Sequence, residues 1–332
     1  MSCPSPNDSP WRLCVAPMLD WTDKHCRYLH RLLTRRARLY TEMVTTGALL
    51  HGGPVIERRL LRMDACEHPV ALQLGGSDAA ELAACARTGQ RWGYDEINLN
   101  CGCPSDRVQR GAFGACLMLQ PQLVADGVKA MRDAVTVPVT VKHRIGIDRD
   151  ESYGFVRDFV GTVAQAGCGV FIVHARNAWL QGLSPKENRE IPPLRYEVVY
   201  RLKRDFPDLT IVLNGGVSDD AQIAAHLAHV DGVMAGRIAY HQPWWLSGWD
   251  EKFLGGPPCP LTPDEAEAAL VAYMQREALE DSTPWSAIAR HMLGLRHGQR
   301  GARLWRQVWS DHRLKPLPPD QVWATARACL PG

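Results

Sequence analysis

Asn100 and Cys103 stand at the end of the run Glu96-Ile97-Asn98-Leu99-Asn100-Cys101-Gly102-Cys103-Pro104, where an apolar and amide stretch breaks into glycine and proline. Strands that hand directly into a turn are where α/β folds place reactive groups. A thiol held there by Gly and Pro, with amides beside it, is placed to act on something. The other reading is packing as a small apolar residue, and it is the one expected of Cys101. The Gly-Cys-Pro turn is expected to lift Cys103 out of the core. Ser105-Asp106-Arg107-Val108 and the glycine-bearing Gly111-Ala112-Phe113-Gly114 follow. No second Cys or His pair at zinc spacing lies nearby, so no metal is expected.

Other polar residues recur in comparable settings. Pro17-Met18-Leu19, Glu42, Gln73, Lys142 with Arg144, His174 with Arg176, Asn214-Gly215-Gly216 and Gly236-Arg237 each lie at or near the end of an apolar, β-branched run. The runs cover 13–16, 39–44, 70–74, 96–100, 139–142, 170–175, 210–214 and 232–235. Helical periodicity fills 79–91, 121–134, 154–166 and 219–227 between them. Eight βα units predict a parallel sheet closed into a TIM (β/α)8 barrel, and such barrels carry their chemistry at the carboxyl ends of the strands. No glycine-rich dinucleotide fingerprint follows the first run, which argues against an open Rossmann sheet. Gly215-Gly216 and Gly236-Arg237 follow the seventh and eighth runs, the usual phosphate position of such barrels. Lys142 is open to a Schiff-base role, an anion-partner role or a solvated strand end.

The Pro/Gly-rich stretch 255–263 is expected to link a barrel over 11–254 to a helical domain over 264–332, with 1–10 a flexible lead. Helical patterns cover 264–279, 285–295, 300–310 and 321–329. Arg290, His291, Arg296, Arg300, Arg303, Arg306, Arg313 and Lys315 cluster there around Trp305 and Trp309. Cations among aromatics suit a nucleic-acid backbone, although the tryptophans fit better in the bundle core. Arg31, Arg35, Arg36 and Arg38 read as an exposed helix end.

The chain of 332 residues has 45% hydrophobic and 22% charged residues, as an ordinary globular protein does, and a net charge of +2 that announces no polyanion by itself. No apolar run is long enough for a membrane span, and the first ten residues lack the features of a signal peptide. Eleven scattered cysteines do not form a disulfide framework, so a reducing, cytoplasmic setting is expected.

Val15-Ala16-Pro17-Met18-Leu19-Asp20, Tyr40-Thr41-Glu42-Met43, the segment 98–108, Lys142 with Arg144, His174-Ala175-Arg176 and Asn214-Gly215-Gly216 together resemble the tRNA-dihydrouridine synthases. The run 183–193 and the tail His291-Met292-Leu293-Gly294-Leu295 resemble the A-type branch. The resemblance implies an FMN-dependent barrel recharged by NADPH, with a helical domain that binds tRNA at the D-loop and elbow, acting on uridines 20 and 20a; a monomer is expected. Pro17, Met18, Leu19, Gln73, Lys142, His174, Asn214, Gly215, Gly216, Gly236 and Arg237 would hold the flavin. Cys103 would be the general acid. Asn100, Arg144, Arg176, Glu187, Arg189, Glu190, Arg300, Arg303 and Arg306 would meet tRNA. Hydride would reach C6 of uracil and a proton C5, the proton supplied by the thiol in its protonated form. Two alternatives stay open: a Schiff-base lyase on a phosphorylated substrate using Lys142, and a non-catalytic RNA-binding barrel.

Overall fold

A computed structural model describes residues 9–105 and 113–331. Asp106, Arg107, Val108, Gly111 and Ala112, and all but the end of the expected lead, lie outside the described residues. Eight strands form one parallel sheet: β1 (Leu13–Val15), β2 (Leu39–Thr45), β3 (Val70–Gly75), β4 (Glu96–Cys101), β5 (Val139–Arg144), β6 (Val170–His174), β7 (Thr210–Asn214) and β8 (Gly232–Ala235). Their order is β1-β8-β7-β6-β5-β4-β3-β2. Between β1 and β2 a parallel bridge at Cys14 and Arg38 closes the ring, with Val15 N–H donating to Arg38 O at 2.9 Å and Arg38 N–H to Leu13 O at 3.0 Å. The fold is therefore the expected TIM barrel.

Near-continuous apolar strands need cover on both faces, which a closed parallel barrel supplies. Cys14, Tyr40, Ala71, Ile172, Val212 and Met234 fill part of the interior. Two of the flanking helices start on side-chain caps. Asp78 accepts from the N–H groups of Ala80 and Glu81 ahead of Ala79–Arg91, and Asp219 accepts from Gln222 ahead of Asp220–Leu227. Such caps fix where each loop ends, and with it the strand-end residues that the loop carries.

Compact contacts divide the chain into Met1–Asp20 with Ala37–Gly236, and Trp21–Arg36 with Arg237–Gly332. The boundary thus falls after β8, and the stretch 255–263 expected as a linker lies inside the second unit. Within that unit the helix Lys24–Leu33 is tied to later segments by polar contacts that its own sequence does not reveal. Lys24 pairs with Glu277 at 2.6 Å and Asp281 at 2.9 Å, and Asp23 with Arg290 at 2.7 Å and His291 at 3.0 Å. Thr34 donates to Asp250 at 2.6 Å.

The long helix Pro263–Asp281 begins on a capping box, Thr262 with Glu265, and ends at Ser282 in the left-handed region. Its buried Glu267 accepts from the indole N–H groups of Trp305 (2.7 Å) and Trp309 (3.0 Å) and pairs with Arg296 at 2.7 Å. The two tryptophans are therefore core residues, as expected. Arg296 and His291, grouped in the sequence with the surface cations, are buried as well. No helix among the described residues is long and apolar enough to cross a membrane.

Candidate active site

Cys103 sits two residues beyond β4, half-buried, while Cys101 is fully buried. Burial pushes the Cys101 thiol well up, which leaves it inert as a nucleophile or metal ligand. Asn100 builds the turn: its Oδ1 accepts from the backbone N–H groups of Gly102 and Cys103, both at 3.0 Å. That is an Asx-type turn, in which the side-chain carbonyl stands in for the backbone carbonyl of the preceding residue.

The same amide continues a polar line through the barrel interior. Glu96, Asn98 and Asn100 alternate on β4 and therefore share one face. Asn100 Nδ2 donates to Gln73 Oε1 at 2.9 Å, Gln73 Nε2 to Asn98 Oδ1 at 2.7 Å, and Asn98 Nδ2 to Thr140 Oγ1 at 2.7 Å. The Thr140 hydroxyl donates to Glu96. Glu96 is completely buried and also receives Trp11 Nε1 at 2.7 Å, Tyr40 Oη at 3.0 Å and the Arg38 guanidinium at 3.1 Å. Arg38, read from the sequence as part of an exposed helix end, is thus a buried counter-ion, and Arg31 is buried too. Each amide of the column makes side-chain hydrogen bonds to its neighbours, which a buried polar line of this kind requires.

Lys142 and Arg144 alternate at the end of β5, and His174 ends β6. Desolvation, aided by the Arg144 charge, lowers Lys142 to about 7. Desolvation, with the Arg144 and Lys142 charges, drives His174 well below its ordinary value and keeps the ring neutral. Its Nδ1 is buried with no protein partner. Arg144 has a structural task that the sequence did not show. Its Nε donates to Gly102 O at 3.1 Å, and one terminal nitrogen to Asn177 O at 3.1 Å and Asn188 O at 3.0 Å. It thereby ties the Cys103 turn to the loops after β6. Asn188, which sequence reasoning missed, knots that loop by accepting from Trp179 N–H (2.8 Å) and donating to Trp179 O (2.9 Å).

Arg176 donates to the carbonyls of Pro192 and Glu190 within the same loop, and Glu187, Arg189 and Glu190 are exposed along it. Gln73 is buried in the column, Pro17 and Met18 are half-buried, and Leu19 is 69% exposed. Asn214 Nδ2 donates to Met234 O at 2.8 Å, which holds β7 to β8. Gly215 and Gly216 follow with φ of +113° and +75°. A Cβ on Gly216 would meet Leu194 Cδ1 at 2.5 Å, and its positive φ is one that side chains rarely adopt, so glycine suits this turn. Gly236 closes the barrel unit, and Arg237 opens the second one. Arg300, Arg303 and Arg306 are exposed in that second unit. Among the described residues no group of three His, Cys, Asp or Glu side chains stands close enough to hold a metal.

A family profile described as Dihydrouridine synthase (Dus) matches residues 14–320, nearly the whole chain. The chain belongs to the dihydrouridine synthase family. Within the family it is 56% identical over 321 residues to a tRNA-dihydrouridine(20/20a) synthase of Pseudomonas putida, covering 97% of this chain and 94% of that one. A protein of the same name from Escherichia coli K12 is 56% identical over 315 residues, covering 94% and 90%. Among solved structures, a 2-naphthoyl-CoA reductase complex superposes with a TM-score of 0.57 at 10% identity, over 73% of this chain and 50% of that one. That likeness speaks for the barrel alone.

Proposed function

We propose that this dihydrouridine synthase reduces uridines 20 and 20a in the tRNA D-loop to 5,6-dihydrouridine, with FMN as its cofactor and NADPH as the reductant. The near-full-length identity to proteins named for that reaction carries the reading. The residues of the barrel mouth fit a flavin. A desolvated lysine, a buried histidine nitrogen without a partner and two glycines with positive φ suit an anionic, hydrogen-bonding ring system and its phosphate. Pro17, Met18, Leu19, Gln73, Lys142, His174, Asn214, Gly215, Gly216, Gly236 and Arg237 would hold it. Reduced flavin supplies a hydride for C6 of the base.

The chain's own residues do the rest. Lys142 is poised to take up a proton when an anionic group arrives beside it, because desolvation is what suppresses its charge. Asn100 orients the base. Cys103 delivers a proton from Sγ to C5 on the face opposite the hydride, which fits its half-buried turn. A D-loop uridine can leave its stack at low cost, so the barrel mouth need not break a base pair. In the loop after β6, Arg176, Glu187, Arg189 and Glu190 would line the approach of the RNA, with Arg144 bracing it. Arg300, Arg303 and Arg306 on the helical unit would meet the backbone electrostatically. The protein would work as a cytoplasmic monomer without a metal.

Purified protein should carry or take up FMN, and Cys103→Ala should keep NADPH-driven flavin reduction while losing dihydrouridine formation. Full turnover by Cys103→Ala on unmodified tRNA would refute the acid assignment. A lysine at about 7 is also a nucleophile. A Schiff-base lyase is therefore the second reading, and borohydride trapping of a substrate adduct at Lys142 would establish it.

A further inference from the structure

The column that runs from Cys103 to Glu96 has ends of opposite character. Its upper end is two backbone N–H groups, which only donate. Its lower end is a carboxylate paired with Arg38 and an indole N–H, neither of which can accept. Every group between must point the same way. Asn100 turns its oxygen to the Cys103 turn and its nitrogen to Gln73. Gln73 then turns its nitrogen to Asn98, Asn98 its nitrogen to Thr140, and Thr140 its proton to Glu96. No amide in the column can flip without placing donor against donor. Asn100 Oδ1 is filled by two N–H groups, so the side chain keeps one uncommitted N–H and can offer a bound base only a donor.

We infer that Thr140, Asn98 and Glu96 are positioning residues that set the polarity of Asn100 and hold the Cys103 turn. The polarity selects a pyrimidine presenting a carbonyl oxygen at that edge, as uracil does, over one presenting an exocyclic amine, as cytosine does. The inference rests on the reading that Asn100 and Cys103 face the base. None of the three touches the reacting atoms; they act through the amides above them. Their spacing on β4 and β5 brings them together only through the register that sets Asn98 beside Thr140.

Thr140→Val keeps the shape of the side chain and removes the hydroxyl that links Asn98 to Glu96. Thr140→Ser restores it, and Val212→Ala serves as a control for simple loss of barrel packing. Hydrogen exchange at the Gly102 and Cys103 amides reads the column directly and needs no activity. In the wild type both should exchange at least about a hundredfold more slowly than an exposed loop amide such as Gly182, and this holds as a test even if Thr140→Val does not fold.

Thr140→Val should speed both amides by about tenfold or more, with Thr140→Ser and Val212→Ala near the wild type. On unmodified tRNA at saturating flavin, Thr140→Val should lower kcat about tenfold with KM for tRNA within about twofold, and Thr140→Ser should recover it. Unprotected amides in the wild type, or equal acceleration by Thr140→Val and Val212→Ala, would overturn the inference. A wild-type protein that protects these amides yet makes no dihydrouridine would instead overturn the functional reading and leave the column standing.

Discussion

Replacing Lys142 with methionine should stabilise the flavin-free protein, and the gain should depend on pH. Desolvation holds Lys142 at about 7 against an ordinary value of 10.5. At about 1.4 kcal/mol per pKa unit, that difference corresponds to at most about 5 kcal/mol. The side chain is only half-buried at the open mouth of the barrel, so solvent screening reduces the cost to about 1–2 kcal/mol.

Below about pH 7 the lysine is protonated in folded and unfolded chains alike, and the folded state carries the whole penalty. Within the range bounded by about pH 7 and 10.5 the folded chain gives up this proton before the unfolded chain does, so wild-type stability rises with pH there. Lys142→Met should therefore unfold about 2–5 °C higher than the wild type near about pH 6. The advantage should shrink steadily as the pH climbs towards about 10.5. Thermal unfolding of flavin-stripped protein, scanned across that range, reads the effect directly. A variant less stable than the wild type at about pH 6, or a gain that stays flat with pH, would refute the reasoning.

Three further outcomes follow from named contacts. Arg144→Met leaves the carbonyls of Gly102, Asn177 and Asn188 without their donor, and should cost about 2–4 kcal/mol in urea unfolding. Arg144→Lys should not rescue it, because a single ammonium cannot reproduce the planar fork. Glu267→Leu leaves two indole N–H groups in the core of the helical unit without their acceptor and Arg296 with Asp264 as its remaining carboxylate, and chemical denaturation should show a loss of about 2–4 kcal/mol. Arg303→Gln with Arg306→Gln should weaken tRNA binding and flatten the slope of log K against log salt by about 1–2, with unchanged flavin content.

The strands were legible because each is a short, β-branched run between turn signals, and the structure keeps all eight. The helices at Ala79–Arg91 and Pro121–Ala134 have the expected bounds, since an aspartate cap and a leading proline mark their starts. What the sequence concealed is long-range pairing. The helix Lys24–Leu33 follows β1, yet Lys24, Asp23 and Thr34 find their partners more than two hundred residues later. Arg144 and Arg38 carry charges that suggest a surface, and each is buried because its donors reach backbone carbonyls or Glu96. The alternation Glu96, Asn98, Asn100 in a strand otherwise made of Ile97 and Leu99 was the readable signal for an internal polar face. Its partners Gln73 and Thr140 are assigned by strand register, which no single run specifies.

The central claim is that the thiol of Cys103 completes the reduction of D-loop uridines. Dihydrouridine should be mapped along tRNA from cells that lack this protein and are supplied with either the wild type or Cys103→Ala. The wild type should restore the modification at positions 20 and 20a, and Cys103→Ala should leave uridine at both. Restoration by Cys103→Ala, or modification confined to other positions, would contradict the account.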